Sequence, residues 1–187
     1  MKKIQNTIVI GVDHGYGNIK TANRIFKSGV VKLKDGQEFA QMPLVYKNER
    51  YLAGQGHKVF VADKFLDEDY YILTLAAIAE ELSLQGITTA DVHIAAGVPL
   101  TWLGSQAKEF KAYLLRNDTV CFSYKDKDYH INIVGADIFP QGFSAIAKNL
   151  FMFKGANMLA DIGNGTINIM HIIDQKPDVN KCFTEKF

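Results

Sequence analysis

Asp13-His14-Gly15-Tyr16-Gly17 and Asp161-Ile162-Gly163-Asn164-Gly165 are two copies of one pattern, Asp-x-Gly-x-Gly, in a chain of 187 residues. The first follows the apolar run Ile8-Val9-Ile10-Gly11-Val12 and leads into Asn18-Ile19-Lys20-Thr21-Ala22-Asn23. The second follows Met158-Leu159-Ala160 and leads into the β-prone run Thr166 to Ile173. Strand, glycine turn and strand again is the signature of a hairpin. One such pattern is weak, since composition alone supplies it in roughly one chain in twenty of this length; a pair falls to roughly one in a thousand. Either motif alone reads more readily as a plain tight hairpin. The repetition points to a ligand.

Glycine lets a two-residue turn take positive φ and removes the Cβ that would bar an anion, so exposed amides can cradle phosphate oxygens. An aspartate closing each strand suits Mg²⁺, which keeps most of its water and takes one or two carboxylates plus substrate phosphates. Lys20 lies two residues into the first return strand, within reach of a β- or γ-phosphate. No GxxxxGK[ST] loop and no GxGxxG leading into a helix is present, so neither of those phosphate motifs competes.

Away from the motifs, strands are expected at Phe26 to Leu33, Leu44 to Tyr46 and around Tyr51 to Gly54. Tyr70 to Leu84 is rich in helix formers, follows the acids Asp67, Glu68 and Asp69, and stops at Gly86. Val92 to Val98 reads as a buried strand closed by Pro99, and Ser105 to Leu115 as a helix with one apolar stripe. Val120 to Tyr124 and Tyr129 to Val134 flank a charged turn, and Gln141 to Leu150 reads as a third helix. The alternation places the chain in the mixed α/β class. Hydrophobic residues make up 48%, enough for a substantial core, while 21 Lys plus Arg against 20 Asp plus Glu leave no net field to draw nucleic acid or anionic membrane. Cys121 and Cys182 lack metal-site spacing, and His14, His57, His93, His130 and His171 show no HExxH pattern. No stretch approaches a signal peptide or a spanning segment, so the cytoplasm is expected and no membrane partner. Trp102, Tyr70, Tyr71, Phe110 and Tyr113 read as core rather than as a partner groove, and His14 as incidental to the loop.

The motifs resemble those of the actin/Hsp70/sugar-kinase superfamily, whose ribonuclease H-like mixed sheet, flanked by helices, contributes one such hairpin from each of two domains. Asp13-x-Gly15-x-Gly17-x-x-Lys20 is similar to the first phosphate motif and Asp161-x-Gly163-x-Gly165-Thr166 to the second. Gly97-Val98-Pro99-Leu100 and the following Gln106 to Leu114 resemble the matching stretch of ParM/StbA-type plasmid-segregation actins, and Pro140-Gln141-Gly142 resembles the start of the connecting helix. The resemblance implies domain I over 1–150 with a small inserted subdomain near 36–67, and over 151–187 a linker and the first hairpin of an incomplete domain II. The adenosine-binding motif is not found, so the chain is expected to be an N-terminal half, weak or inactive alone in ATP hydrolysis.

The same resemblance implies ATP and Mg²⁺ as cofactors. Asp13 and Asp161 would orient water on Mg²⁺ and, with Gln141 placing the attacking water, form the catalytic set; Gly15, Tyr16, Gly17, Asn18, Lys20, Gly163, Asn164, Gly165 and Thr166 would bind nucleotide. An amide such as Gln141 is no strong base, so slow, conformationally gated hydrolysis is expected. Each role has a plainer alternative: turn residues for Asp13, Asp161, Asn18 and Asn164, an exposed strand lysine for Lys20, a helix N-terminal residue for Gln141. The implied function is dynamic filament formation for plasmid or phage DNA segregation, with self-association as the partner contact and DNA reached only through an adaptor. A non-polymerising member, either an Hsp70-like ATPase or a small-molecule kinase, and an inactive half-fold serving as an interaction module are the alternatives.

Overall fold

A computed structural model describes residues 2–34, 42–56 and 63–186. In chain order the strands are β1 (Lys2–Ile4), β2 (Thr7–His14), β3 (Asn18–Lys20), β4 (Ile25–Lys27), β5 (Val30–Lys32), β6 (Leu44–Tyr46) and β7 (Glu49–Ala53). Helix α1 (Glu68–Ser83) precedes β8 (Thr89–Val98), and α2 (Leu103–Leu114) precedes β9 (Thr119–Tyr124) and β10 (Lys127–Pro140). Then come α3 (Phe143–Ala147), β11 (Ala156–Ile162), β12 (Thr166–Ile173), β13 (Lys176–Pro177) and β14 (Phe183–Lys186). Mixed α/β architecture is the result, as the alternation predicts.

Ten strands form the main sheet in the order β4-β3-β2-β8-β10-β9-β6-β7-β5, with β1 on β2. β2, β8 and β10 run parallel at its centre, and the flanking pairs are antiparallel. Alternate residues of β2 (Ile8, Ile10, Val12) and β8 (Val92, Ile94, Ala96, Val98) point into one core, the period-2 pattern of a sheet face covered by helices. α1 is buried almost all round, from Tyr70 to Ala79, which fits its continuously apolar sequence. Asp67 caps it, its carboxylate accepting from the Asp69 amide at 3.0 Å. Arg116, just beyond α2, grips Glu68 with both terminal nitrogens and stacks 3.7 Å from the Tyr71 ring centre, tying the two helices together. Tyr70, Tyr71, Phe110 and Tyr113 are core, as expected; Trp102 is not, lying half-buried with the Lys186 ammonium 4.8 Å over its ring.

Three expected elements differ. The single strand expected over Phe26 to Leu33 is two, broken at Ser28 and Gly29; a Cβ on Gly29 would stand 2.2 Å from the Gln55 carbonyl oxygen. The strand expected to stop at Val134 runs to Pro140. A register shift at Ile133/Gly135 carries it on, and at Gly135 a Cβ would meet the His93 ring at 2.6 Å. The helix expected from Gln141 starts only at Phe143 and ends at Ala147: Gly142 has φ +79°, a left-handed conformation no helix interior accepts. Of the inserted subdomain expected near 36–67, residues 35–41 and 57–62 lie outside the described residues. β6 and β7, between them, extend the main sheet through β9.

A second, four-stranded sheet joins β11, β12 and β13, with β14 on β12. Its core is small: Ile146, Met170 and Ile172 are buried, with Leu100, Phe143, Leu150, Phe153 and Leu159 packed around them. α3 therefore sides with this sheet. Among the described residues no helix is long and apolar enough to cross a membrane.

Candidate functional site

Each glycine motif is the turn of a hairpin at one end of its sheet. β2 pairs with β3 so that Asp13 faces Lys20, their side chains 3.5 Å apart, and the Gly163 amide donates to the Thr166 carbonyl at 2.9 Å to close the second turn. Neither turn uses positive φ, contrary to the expectation from composition: Gly15, Gly17, Gly163 and Gly165 all lie outside the left-handed region. Crowding constrains the first loop instead. A Cβ on Gly15 would sit 2.6 Å from the Asn18 carbonyl oxygen, and one on Gly17 would sit 2.6 Å from the Asn164 side chain. The two loops thus face each other closely, and Asn164 reaches across to the first loop rather than taking a left-handed backbone.

Between them lies a cavity of about 110 Å³. Asp13, Gly15, Tyr16, Gly17, Asn18 and Lys20 line it from the first hairpin, Asp161, Gly163, Asn164 and Thr166 from the second, and Gln141 from the turn that joins the sheets. Gly165 belongs to the second turn but not to the lining. Gln141 is anchored by its amide to the Val98 carbonyl at 2.8 Å, and its side-chain Nε2 donates to Asp13 at 3.4 Å. Gly142 lets Asp161 approach, since a Cβ there would meet the Asp161 Cβ at 3.0 Å.

Asp161 is pushed above the usual carboxylate range, by burial first and by the Asp13 charge second, with Lys20 and Asn168 pulling it back. Two carboxylates at one cavity, one of them destabilised by the other, are a donor set that a hydrated divalent cation would relieve. Gly15, Gly17 and Gly163 line the same cavity with Lys20 beside them, a setting for phosphate oxygens. The residues present therefore fit Mg²⁺ with a polyphosphate.

The first loop is held from behind by groups that pattern reading does not mark. Ser28, 2% exposed, donates its hydroxyl to the Gly15 carbonyl at 2.6 Å and its amide to the Gly17 carbonyl at 3.1 Å. Lys64 donates to the His14 carbonyl. His14 itself turns away from the cavity into the core: fully buried, it hydrogen-bonds Thr74 at 2.7 Å and packs edge-on to Phe110. Because the Thr74 hydroxyl donates to the Tyr70 carbonyl, His14 Nε2 carries the proton. Burial, and then the Lys64 charge, lower His14 to about 3, so it stays neutral. Asn168 is a second omission. It lines the cavity, 4% exposed, and accepts from the Thr184 hydroxyl at 2.9 Å. An asparagine two residues after Thr166 on the face that continues with Met170 and Ile172 is the signal that could have found it.

Residues 11–143 match the family described as the N-terminal domain of actin-like proteins. The chain belongs to that family. Actin-like folds among solved structures agree with the match. Apo pSK41 ParM superposes with a TM-score of 0.75 at 17% identity, covering 96% of this chain and 66% of that one. The archaeal actin homologue Ta0583 gives 0.75 at 21%, covering 96% and 62%. AlfA from the B. subtilis plasmid pLS32, solved as a filament, gives 0.73 at 14%, covering 95% and 71%. The chain thus spans about two thirds of the length of these actin-like proteins. No functionally curated protein matches it in sequence.

Proposed function

We propose that this chain is the nucleotide-binding N-terminal part of an ATP-dependent, filament-forming actin-like protein that moves plasmid or phage DNA. One observation carries the reading: two hairpins with the same motif, rooted in two separate cores, converge on one cavity that presents both Asp13 and Asp161. Related proteins support it, since Ta0583 has been solved in complex with ADP and AlfA as a filament bound to AMPPNP. In this reading residues up to the turn at Gln141 form domain I, and α3 with the second sheet opens domain II.

Mg²⁺, when bound, supplies the charge that neutralises the phosphates. Asp13 and Asp161 would hold its hydrating water, loop amides would bind phosphate oxygens, and Lys20 would give up its contact with Asp13 for a phosphate. Gln141, already hydrogen-bonded to Asp13, orients the attacking water. Such catalysis rests on position and electrostatics. Because the two hairpins come from different cores, a ligand bridging them biases how those cores sit, which is how nucleotide state would reach a filament contact.

Titration of the chain with Mg·ATP, alongside sedimentation and phosphate release with the same nucleotide, tests this. Binding that is lost in Asp161→Ala and requires Mg²⁺ is expected. Unchanged binding in that variant would remove the cavity from the mechanism. Polymer that forms equally without nucleotide would remove ATP from assembly.

A further inference from the structure

Beneath the first hairpin lies a lysine that neither glycine motif contains. Lys64 opens the turn Lys64–Leu66 ahead of α1, and it is 1% exposed. Its ammonium donates to the His14 carbonyl and lies 4.8 Å from the centre of the Tyr16 ring and 5.6 Å from that of Tyr70. Among the described residues no carboxylate is within ion-pair distance of it. Asp13 is the carboxylate whose charge it feels, and that group is also shared with Lys20. Lys64 does not line the cavity.

A buried cation held by one carbonyl and two ring faces is poorly compensated, and burial alone is a reason for an apolar residue there, not a charged one. What could add to the Asp13 charge is an anion on the far side of residues 13–16. A polyphosphate in the cavity would sit there. The carbonyls of His14, Gly15 and Gly17 are all drawn back by Lys64 and Ser28, away from where an anion would be repelled by them.

We propose that Lys64 is a positioning residue of the first phosphate loop: it pulls the His14 carbonyl inward and lends the cavity a buried positive charge that bound polyphosphate compensates further than Asp13 does alone. This inference rests on reading the cavity as a phosphate site. It adds a residue from outside the motif and ties the segment leading into α1 to ligand binding.

The test is calorimetric titration of the chain with Mg·ATP and with Mg·tripolyphosphate, plus melting with and without each, for wild type, Lys64→Gln and Lys64→Met. Lys64→Gln keeps a donor for the His14 carbonyl but removes the charge. It is expected to weaken both ligands about ten-fold through loss of the charge behind the loop, with an unliganded melting temperature at or above wild type. Lys64→Met, which loses the donor too, is expected to weaken them further. A Lys64→Gln protein that binds both ligands like wild type would overturn the proposal. So would one whose unliganded melting point drops while the ligand-induced shift is unchanged, since that is the mark of packing alone. If Lys64→Met does not fold, the Lys64→Gln comparison still decides. Failure of wild type to bind either ligand is a different result, because it removes the phosphate site itself before any variant is made.

Discussion

The first glycine hairpin belongs to a ten-stranded sheet and is clamped from behind by buried polar side chains, whereas the second hangs on a four-stranded sheet with three buried apolar residues. Ser28, Lys64, His14 and Thr74, each at most 2% exposed, surround the first. Around the second, Met158 and Ile162 stand 69% and 72% exposed on β11. The same loop chemistry is thus presented on a rigid support and on a thin one. A site built this way can keep one half fixed while the other responds to what lies between them.

Core truncation should separate the two most strongly. Ile94→Ala, at the centre of the main sheet, is expected to cost about 2–5 kcal/mol of global stability in denaturant unfolding. Met170→Ala should instead release the amides of 156–186 selectively in native-state hydrogen exchange while β2 and β8 stay protected. Equal loss of protection in both sheets would mean that they unfold as one unit.

A smaller effect is expected from the clamp. Ser28→Ala leaves the buried Gly15 carbonyl without its hydroxyl donor and should cost about 1–3 kcal/mol, with faster exchange confined to the first loop. An unchanged exchange rate there would show that Ser28 does not hold the loop.

His14 gives the first region a pH dependence that the second lacks from this cause. Its folded value of about 3 lies below its ordinary 6.5, so the unfolded chain takes up a proton that the folded chain refuses. The resulting stability is complete above about pH 6.5 and falls as pH drops toward 3, by about 1.4 kcal/mol per unit. His14→Asn should flatten the stability profile between pH 6 and 4.5 by that slope; an unaltered profile would show that His14 is already charged or exposed.

Asp161 should give the smallest stability change and of opposite sign. Its carboxyl is held above the ordinary range, so the ionised form costs the folded state something at neutral pH. Asp161→Asn is expected to raise the unliganded stability by less than about 1 kcal/mol while weakening Mg·ATP binding. A fall in both would mean that Asp161 is structural.

Much of this molecule could be read from pattern. The motif pair, the strands before each copy, the helix over Tyr70 to Ser83 and the mixed class all follow from local periodicity and turn chemistry, because apolar spacing and glycine act within a few residues. The family was likewise accessible from Asp13-x-Gly15-x-Gly17 and its repeat. Other features depend on neighbours distant in sequence. Gly15 and Gly17 are glycines because Asn18 and Asn164 crowd them, not because the turn needs positive φ. Gly135 gives way to the His93 ring where β10 shifts register, and α3 starts late because Gly142, beside Asp161, holds a left-handed φ. Lys64, Ser28 and Asn168 carry no motif, and only the fold brings them to the two loops. Local sequence specified the two hairpins, since turn and strand are decided by adjacent residues. Their meeting at one cavity, and the buried charge behind the first, came from packing between segments that the chain keeps far apart.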